Sequence, residues 1–202
     1  LEPKAPSFHE LPAWSAAGEI RDACSRSQVV CVQGETGCGK SSVLPMVFLE
    51  DPHANVAVTQ PRRIAAISLA QRVAQQRNEA VGQVVGYRVA MDGQVSQSTR
   101  LSFVTTGWLL MFLAHRPDAL RRYTHIVLDE IHERDLDMDL LCLLLKSSLP
   151  KNPKLRLVLM SATVDAAQFL DYFAGAGGGH GRVNVERNPI IVGSRRFPTY
   201  PF

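Results

Sequence analysis

Gly34-Glu35-Thr36-Gly37-Cys38-Gly39-Lys40-Ser41-Ser42 is the stretch that decides the fold. A short apolar run, Val29-Val30-Cys31-Val32, precedes it and reads as a buried strand. The residues after it, Val43-Leu44-Pro45-Met46-Val47-Phe48-Leu49, read as a helix that Pro45 should bend or shorten. Strand, glycine-rich turn, Lys-Ser and helix in this order form a phosphate-binding loop, G-x-x-x-x-G-K-[ST]. The glycines let backbone N–H groups turn inward around phosphate oxygens. The helix start adds its own donors and the positive end of its dipole. Lys40 can reach the terminal phosphates, and the Ser41 hydroxyl can hold Mg²⁺. Four specified positions between a strand and a helix are hard to reconcile with a chance glycine turn.

Upstream of the loop, residues 1–12 carry three prolines and read as an extended lead-in. A helix is expected over 15–26, with Ala17, Ile20 and Ala23 on its inner side. Downstream, strands are expected at 56–58, 81–89, 101–104, 126–128 and 155–160. Helices are expected at about 62–78, 108–114, 136–149 and 166–173. Ile64, Ile67 and Val73 are core candidates in the first of these. Residues 175–181 read as a glycine-rich surface loop, and 183–185 and 190–192 as final short strands. Strands that alternate with helices argue for one parallel sheet covered on both faces, a three-layer α/β domain. Ligands of such sheets sit at the carboxyl ends of the strands. Polar stretches starting at Gly34, Thr59, Thr105, Asp129 and Ser161 each follow an apolar strand directly, so they should share one edge.

The bulk properties agree with a packed domain. A hydrophobic fraction of 46% over 202 residues is ordinary for a globular core. The net charge of +3 permits a polyanionic partner without requiring one. Cysteines 24, 31, 38 and 142 form no C-x-x-C pair, so zinc is not indicated. No secretion signal opens the chain, and no uncharged apolar run is long enough for a membrane helix. An intracellular, reducing compartment is therefore expected, nucleus or cytoplasm left open. The chain begins at Leu1 without Met and reads as an excised piece.

Chemistry is concentrated on the shared edge. Phosphoryl transfer to water needs a cation on the phosphates and a group that orients the attacking water. Asp129 suits the first role, through water, and Glu130 the second, with Glu130 also a possible metal contact. Solvated acids at a helix start are an alternative, but the phosphate loop favours catalysis. His132 could be a metal ligand, a general base or a polar contact, with no further ligand at a suitable spacing for the first, while Glu133 and Arg134 read as an ordering pair. Arg62 and Arg63 at a helix start, with the hydroxyls of Thr59, Thr105 and Thr106, suit a sugar–phosphate backbone better than base edges. With no interleaved aromatic platform, sequence-specific recognition is not indicated.

These stretches resemble the first RecA-like domain of DEAH/RHA-type superfamily 2 RNA helicases. The matching motifs are Gly34 to Ser41, Thr59-Gln60-Pro61-Arg62-Arg63, Thr105-Thr106-Gly107, Asp129-Glu130-Ile131-His132 and Ser161-Ala162-Thr163. They occur in the family's order, and the likeness covers about residues 11–202. The Asp-Glu-Ile-His form is closer to the RNA helicase A branch than to the spliceosomal one.

The resemblance implies a P-loop NTPase fold over 15–192, behind a lead-in at 1–14. Residues 193–202 would start a linker to a second RecA-like domain, with C-terminal accessory domains beyond it and activator proteins as further partners. It implies ATP or another NTP with Mg²⁺, RNA-stimulated hydrolysis and 3′-to-5′ translocation. Lys40, Ser41, Asp129 and Glu130 would serve hydrolysis. His132, Ser161, Ala162 and Thr163 would couple it to RNA movement. Arg62, Arg63, Thr105 and Thr106 would touch RNA, and Arg72 would stack on the nucleotide base. Ser41-Ser42-Val43 departs from the family's usual Thr-Thr-Gln but keeps the metal-binding hydroxyl. Met46 and Thr106 stand where Gln and Asp are common. Without the second domain's arginine fingers, little hydrolysis is expected of this chain alone. A DNA translocase of the same superfamily, or a helicase-like scaffold without turnover, are the competing readings. A small-molecule kinase would leave Asp129 to His132 and Ser161 to Thr163 unexplained.

Overall fold

The structure, a computed structural model, describes residues 8–163, 166–175 and 183–193. The start of the expected lead-in, nearly all of the glycine-rich loop and the expected linker after Gly193 lie outside the described residues.

Eight strands form one sheet in the order β4-β3-β5-β2-β6-β7-β1-β8. In chain order they are β1 (Val29–Gly34), β2 (Val56–Gln60), β3 (Val85–Val89), β4 (Asp92–Gln94), β5 (Leu101–Thr105), β6 (His125–Leu128), β7 (Arg156–Ser161) and β8 (Ile190–Val192). All pairings are parallel except the β3–β4 hairpin. The expected Gly-interrupted β segment over 81–89 is strand only from Val85 onward. The expected strand at 183–185 is a single parallel bridge from Val185 to Val29.

Side-chain alternation explains the three layers, because successive residues of a strand point to opposite faces. Val30, Val32, Val56, Val58, Phe103 and Met160 face one apolar cluster. Val29, Cys31, Ala57, Val104, Leu128 and Leu159 face the other. Both faces are covered, so the strands read as continuous apolar runs. The first cluster is closed by α1 (Ala17–Arg26), α2 (Lys40–Phe48) and α3 (Arg63–Gln76). The second is closed by α4 (Thr106–His115), α5 (Leu136–Ser148) and α6 (Ala166–Ala174). Ala17, Ile20 and Ala23 are buried as expected. Ile64 is not, at 79% exposed. It lies in the first turn of α3, whose buried stripe is Ala66, Ala70, Val73 and Ala74. Pro45 lies inside α2 and removes one backbone bond without ending the helix. Burial pushes the thiols of Cys24, Cys31 and Cys142 up to about 12, so they behave as core atoms.

The lead-in is not extended where it is described. Phe8–Glu10 and Pro12–Ala16 are 3₁₀ turns, with Leu11 and Ala13 buried. The Ala13 N–H donates to the carbonyl of Cys38 at 3.0 Å, tying this segment to the phosphate loop.

Candidate active site at the carboxyl edge of the sheet

β5, β2, β6, β7 and β1 lie side by side and run parallel, so their carboxyl ends bring all five polar stretches to one edge. The phosphate loop after β1 stands at one end of this row. The Arg62–Arg63 helix start after β2 stands on the far side of β6. Asp129, at the end of β6, and Ser161, the last residue of β7, lie between them.

The loop itself is shaped by two different glycine requirements. Gly39, with φ of +96°, is a left-handed N-cap immediately before α2. Gly34 is needed for space, because a Cβ there would lie 2.4 Å from the Val192 carbonyl of β8. Glu35, Thr36 and Gly37 are exposed along the loop, whereas Cys38 is buried. The Lys40 ammonium is buried and donates to the carbonyls of Gly34 and Glu35, at 2.5 and 2.9 Å. It also lies 3.7 Å from the Cys38 sulfur. Ser42 is buried, with its hydroxyl turned to the Gly39 carbonyl at 3.3 Å. Ser41 is half-buried in the first turn of α2.

Asp129 is 1% exposed and well supplied with donors. Gln60 Nε2 donates to Oδ2 at 2.5 Å, and the Glu130 N–H donates to Oδ1 at 3.0 Å. Burial pushes this carboxyl above its ordinary range, and the Glu130 charge adds to the shift. The bonds from Ser41, Gln60 and the Glu130 backbone oppose it. Glu130 adopts the left-handed conformation, with φ of +52°. That strain in a non-glycine residue is typical of functional turns. Its carboxylate lies 3.6 Å from His132 Nδ1, too long for a hydrogen bond. The same Nδ1 accepts from the Ala162 N–H at 3.4 Å, which links the turn after β6 to Ser161-Ala162-Thr163 after β7. Ser161 is buried and bonds internally to Thr163.

Thr59 and Thr106 require a correction. Both are buried, and their hydroxyls are used inside the fold. Thr59 Oγ1 accepts from the Asp129 N–H at 3.3 Å and donates to the Val127 carbonyl at 3.4 Å. Thr106 Oγ1 donates to the Gln60 carbonyl at 3.4 Å. Neither hydroxyl faces outward to meet a nucleic-acid backbone. Thr105 is half-buried at the start of α4. Arg62 and Arg63 are exposed, as is Arg72 on α3. The expected Glu133–Arg134 pair is also replaced. Glu133 lies 3.5 Å from Arg62, and Arg134 forks onto both carboxylate oxygens of Asp139. Gln60, inside the Thr59 to Arg63 motif, also carries a role that the sequence does not show. Its partner across the sheet becomes visible only once β2 is known to lie beside β6.

Among the described residues, no three of His, Cys, Asp and Glu gather into a metal cage, and no helix is long and apolar enough to cross a membrane. A hydroxyl and one carboxylate beside a phosphate loop form a hard-oxygen set of the kind Mg²⁺ completes with waters and substrate phosphates.

Comparison with known proteins agrees with this geometry. Residues 16–170 match the DEAD/DEAH box helicase family. Over 175 residues, 83% of this chain, it is 44% identical to the DExH-box ATP-dependent RNA helicase DExH1 of Arabidopsis thaliana, of which it covers 18%. It is 45% identical over 81% of its length to the putative ATP-dependent RNA helicase DHX57 of Homo sapiens, covering 12% of that protein. It is 44% identical over 77% of its length to the probable ATP-dependent RNA helicase spindle-E of Anopheles gambiae, covering 11%. The chain thus spans less than a fifth of these relatives. With the phosphate loop, the strand-end acids and the helicase match over most of its length, this chain belongs to the DEAD/DEAH box helicase family.

Proposed function

We propose that this chain is the nucleotide-binding RecA-like half of an ATP-dependent RNA helicase motor. The observation that carries this is the buried Asp129 at the end of β6, held by Gln60 and the Glu130 N–H on the same sheet edge as the phosphate loop. The strands that carry loop and acid, β1 and β6, are separated only by β7, so both stand on one edge. In this role the N–H groups of residues 34–42 cradle the phosphates of ATP or another NTP. Lys40 exchanges the Gly34 and Glu35 carbonyls for terminal phosphate oxygens. Ser41 and Asp129 would hold Mg²⁺, Asp129 through water, as hard-oxygen ligands beside the phosphates. Mg²⁺, when bound, neutralises charge that develops on the phosphates. Glu130 orients and deprotonates the attacking water.

His132 would transmit the state of this turn to Ser161-Ala162-Thr163 through the Ala162 N–H. Arg62, Arg63 and Thr105 lie along the same edge and would contact the RNA backbone. Arg72 would stack on the nucleotide base. RNA as the polymer, a second RecA-like domain with accessory domains, and 3′-to-5′ unwinding rest on the resemblance and on the names of the relatives. RNA-stimulated ATP turnover by the full-length protein tests the assignment. Glu130→Gln should abolish turnover and leave nucleotide binding nearly intact, and undiminished turnover would remove Glu130 from its role.

A further inference from the structure

The buried amide of Gln60 has no part in the assignments above, yet it makes the shortest side-chain contact to Asp129, at 2.5 Å. Gln60 is 3% exposed, so water does not compete for this bond. Its backbone is fixed from two sides. The Thr106 hydroxyl holds its carbonyl, and Pro61 restricts it to an extended conformation. A carboxylate held through Oδ2 by an anchored amide and through Oδ1 by the Glu130 N–H cannot rotate freely about its last side-chain bond. Each oxygen keeps a further lone pair for another donor or a cation.

We infer that Gln60 is a positioning residue for magnesium. Its amide locks the Asp129 carboxylate in the orientation that presents a hard oxygen to Ser41 and the mouth of the phosphate loop. This rests on the nucleotide–magnesium assignment proposed above. The residue type suits the role. An amide donates a hydrogen bond without bringing charge, so it does not offset the carboxylate charge that draws a divalent cation. Lys or Arg at this position would neutralise the carboxylate and compete with the cation. Glu would repel it, and Asn would fall one methylene short.

The test compares wild type with Gln60→Met in the full-length protein, Met having similar length and volume but no donor. Binding of a fluorescent ADP is measured in Mg²⁺ and in EDTA, and binding of Mn²⁺ with ADP is followed by its electron paramagnetic resonance. In EDTA the two proteins should bind alike. In Mg²⁺ the variant should lose about tenfold of the gain in affinity, with a matching loss of bound Mn²⁺, as expected when a partner of a metal-holding group is removed. An equal Mg²⁺ gain in both proteins overturns the inference alone. An equal loss in EDTA and in Mg²⁺ also overturns it, because Gln60 would then support the loop as a whole. Absence of nucleotide binding by wild type would instead overturn the nucleotide–magnesium assignment. If Gln60→Met does not fold, Gln60→Asn carries the same comparison, since its donor is retained but out of reach.

Discussion

His125 offers a stability test that is independent of catalysis. It opens β6 at the amino edge of the sheet, opposite the site, and its ring stacks on Phe48 with centroids 4.3 Å apart. Nδ1 lies 2.9 Å from the Thr124 hydroxyl. Burial pushes its pKa down from 6.5 to about 4, the Arg156 charge contributes in the same direction, and Asp51 opposes. The folded chain therefore binds this proton less readily than the unfolded chain. The stabilisation is complete above pH 6.5, declines as pH falls, and is exhausted below about pH 4. The displacement corresponds to a limiting loss of about 3 kcal/mol, of which about 2 kcal/mol is already lost at pH 5. His125→Phe keeps the ring stack and removes the titration. The Thr124 hydroxyl keeps its bonds to the Asn55 carbonyl and N–H, at 3.1 and 2.9 Å. Urea unfolding of both proteins between pH 8 and pH 5 should show wild type losing about 2 kcal/mol relative to the variant. Asp129, with its carboxyl displaced upward, responds in the opposite sense but is common to both chains and drops out of the difference. Parallel stability curves would refute the claim that His125 is held neutral by burial.

Two further outcomes are expected. Replacing Arg62 and Arg63 with Ala in the full-length protein should weaken RNA binding and reduce its salt slope by up to about 2; an unaltered slope means that these arginines do not meet phosphate. Asp135→Ala removes the side-chain cap on the Met138 N–H, a 2.7 Å bond at the start of α5. It should cost about 1 kcal/mol in thermal or urea unfolding, and an unchanged midpoint would show that the cap is not a source of stability.

Much of this fold is legible because its signals are local. The strand, glycine turn and Lys-Ser of residues 29–41 depend on neighbours in sequence alone. The expectation of a common edge needed only the rule that parallel strands present their carboxyl ends together. The misread features depend on partners distant in the chain. Ile64 looked like core by periodicity, but the start of α3 at Arg63 rotates it outward. The prolines of the lead-in suggested an extended approach. Nothing local shows that Leu11 packs where a Gly39 side chain would go, or that the Ala13 N–H reaches Cys38. Glu133 pairs with Arg62 rather than with its neighbour Arg134, a choice made by the placement of β2 beside β6.

Thr59 and Thr106 show why polar residues at a sheet edge mislead in one direction. A ligand site and the structure that supports it both need hydroxyls, amides and acids, and composition does not separate them. Burying an unpaired polar group costs about 1–3 kcal/mol, so each such group must find a partner across strands. At this edge they do. Thr59 of β2 serves the Asp129 N–H at the end of β6, Gln60 serves the Asp129 carboxylate, and Thr106 at the start of α4 serves the Gln60 carbonyl. Every one of these bonds joins different elements, so each favours the observed strand neighbours over alternatives that would leave a buried group unpaired. The polarity that marks the site in the sequence is therefore divided. Arg62 and Arg63 keep theirs at the surface, while Thr59, Thr106 and Gln60 use theirs to set where Asp129 stands.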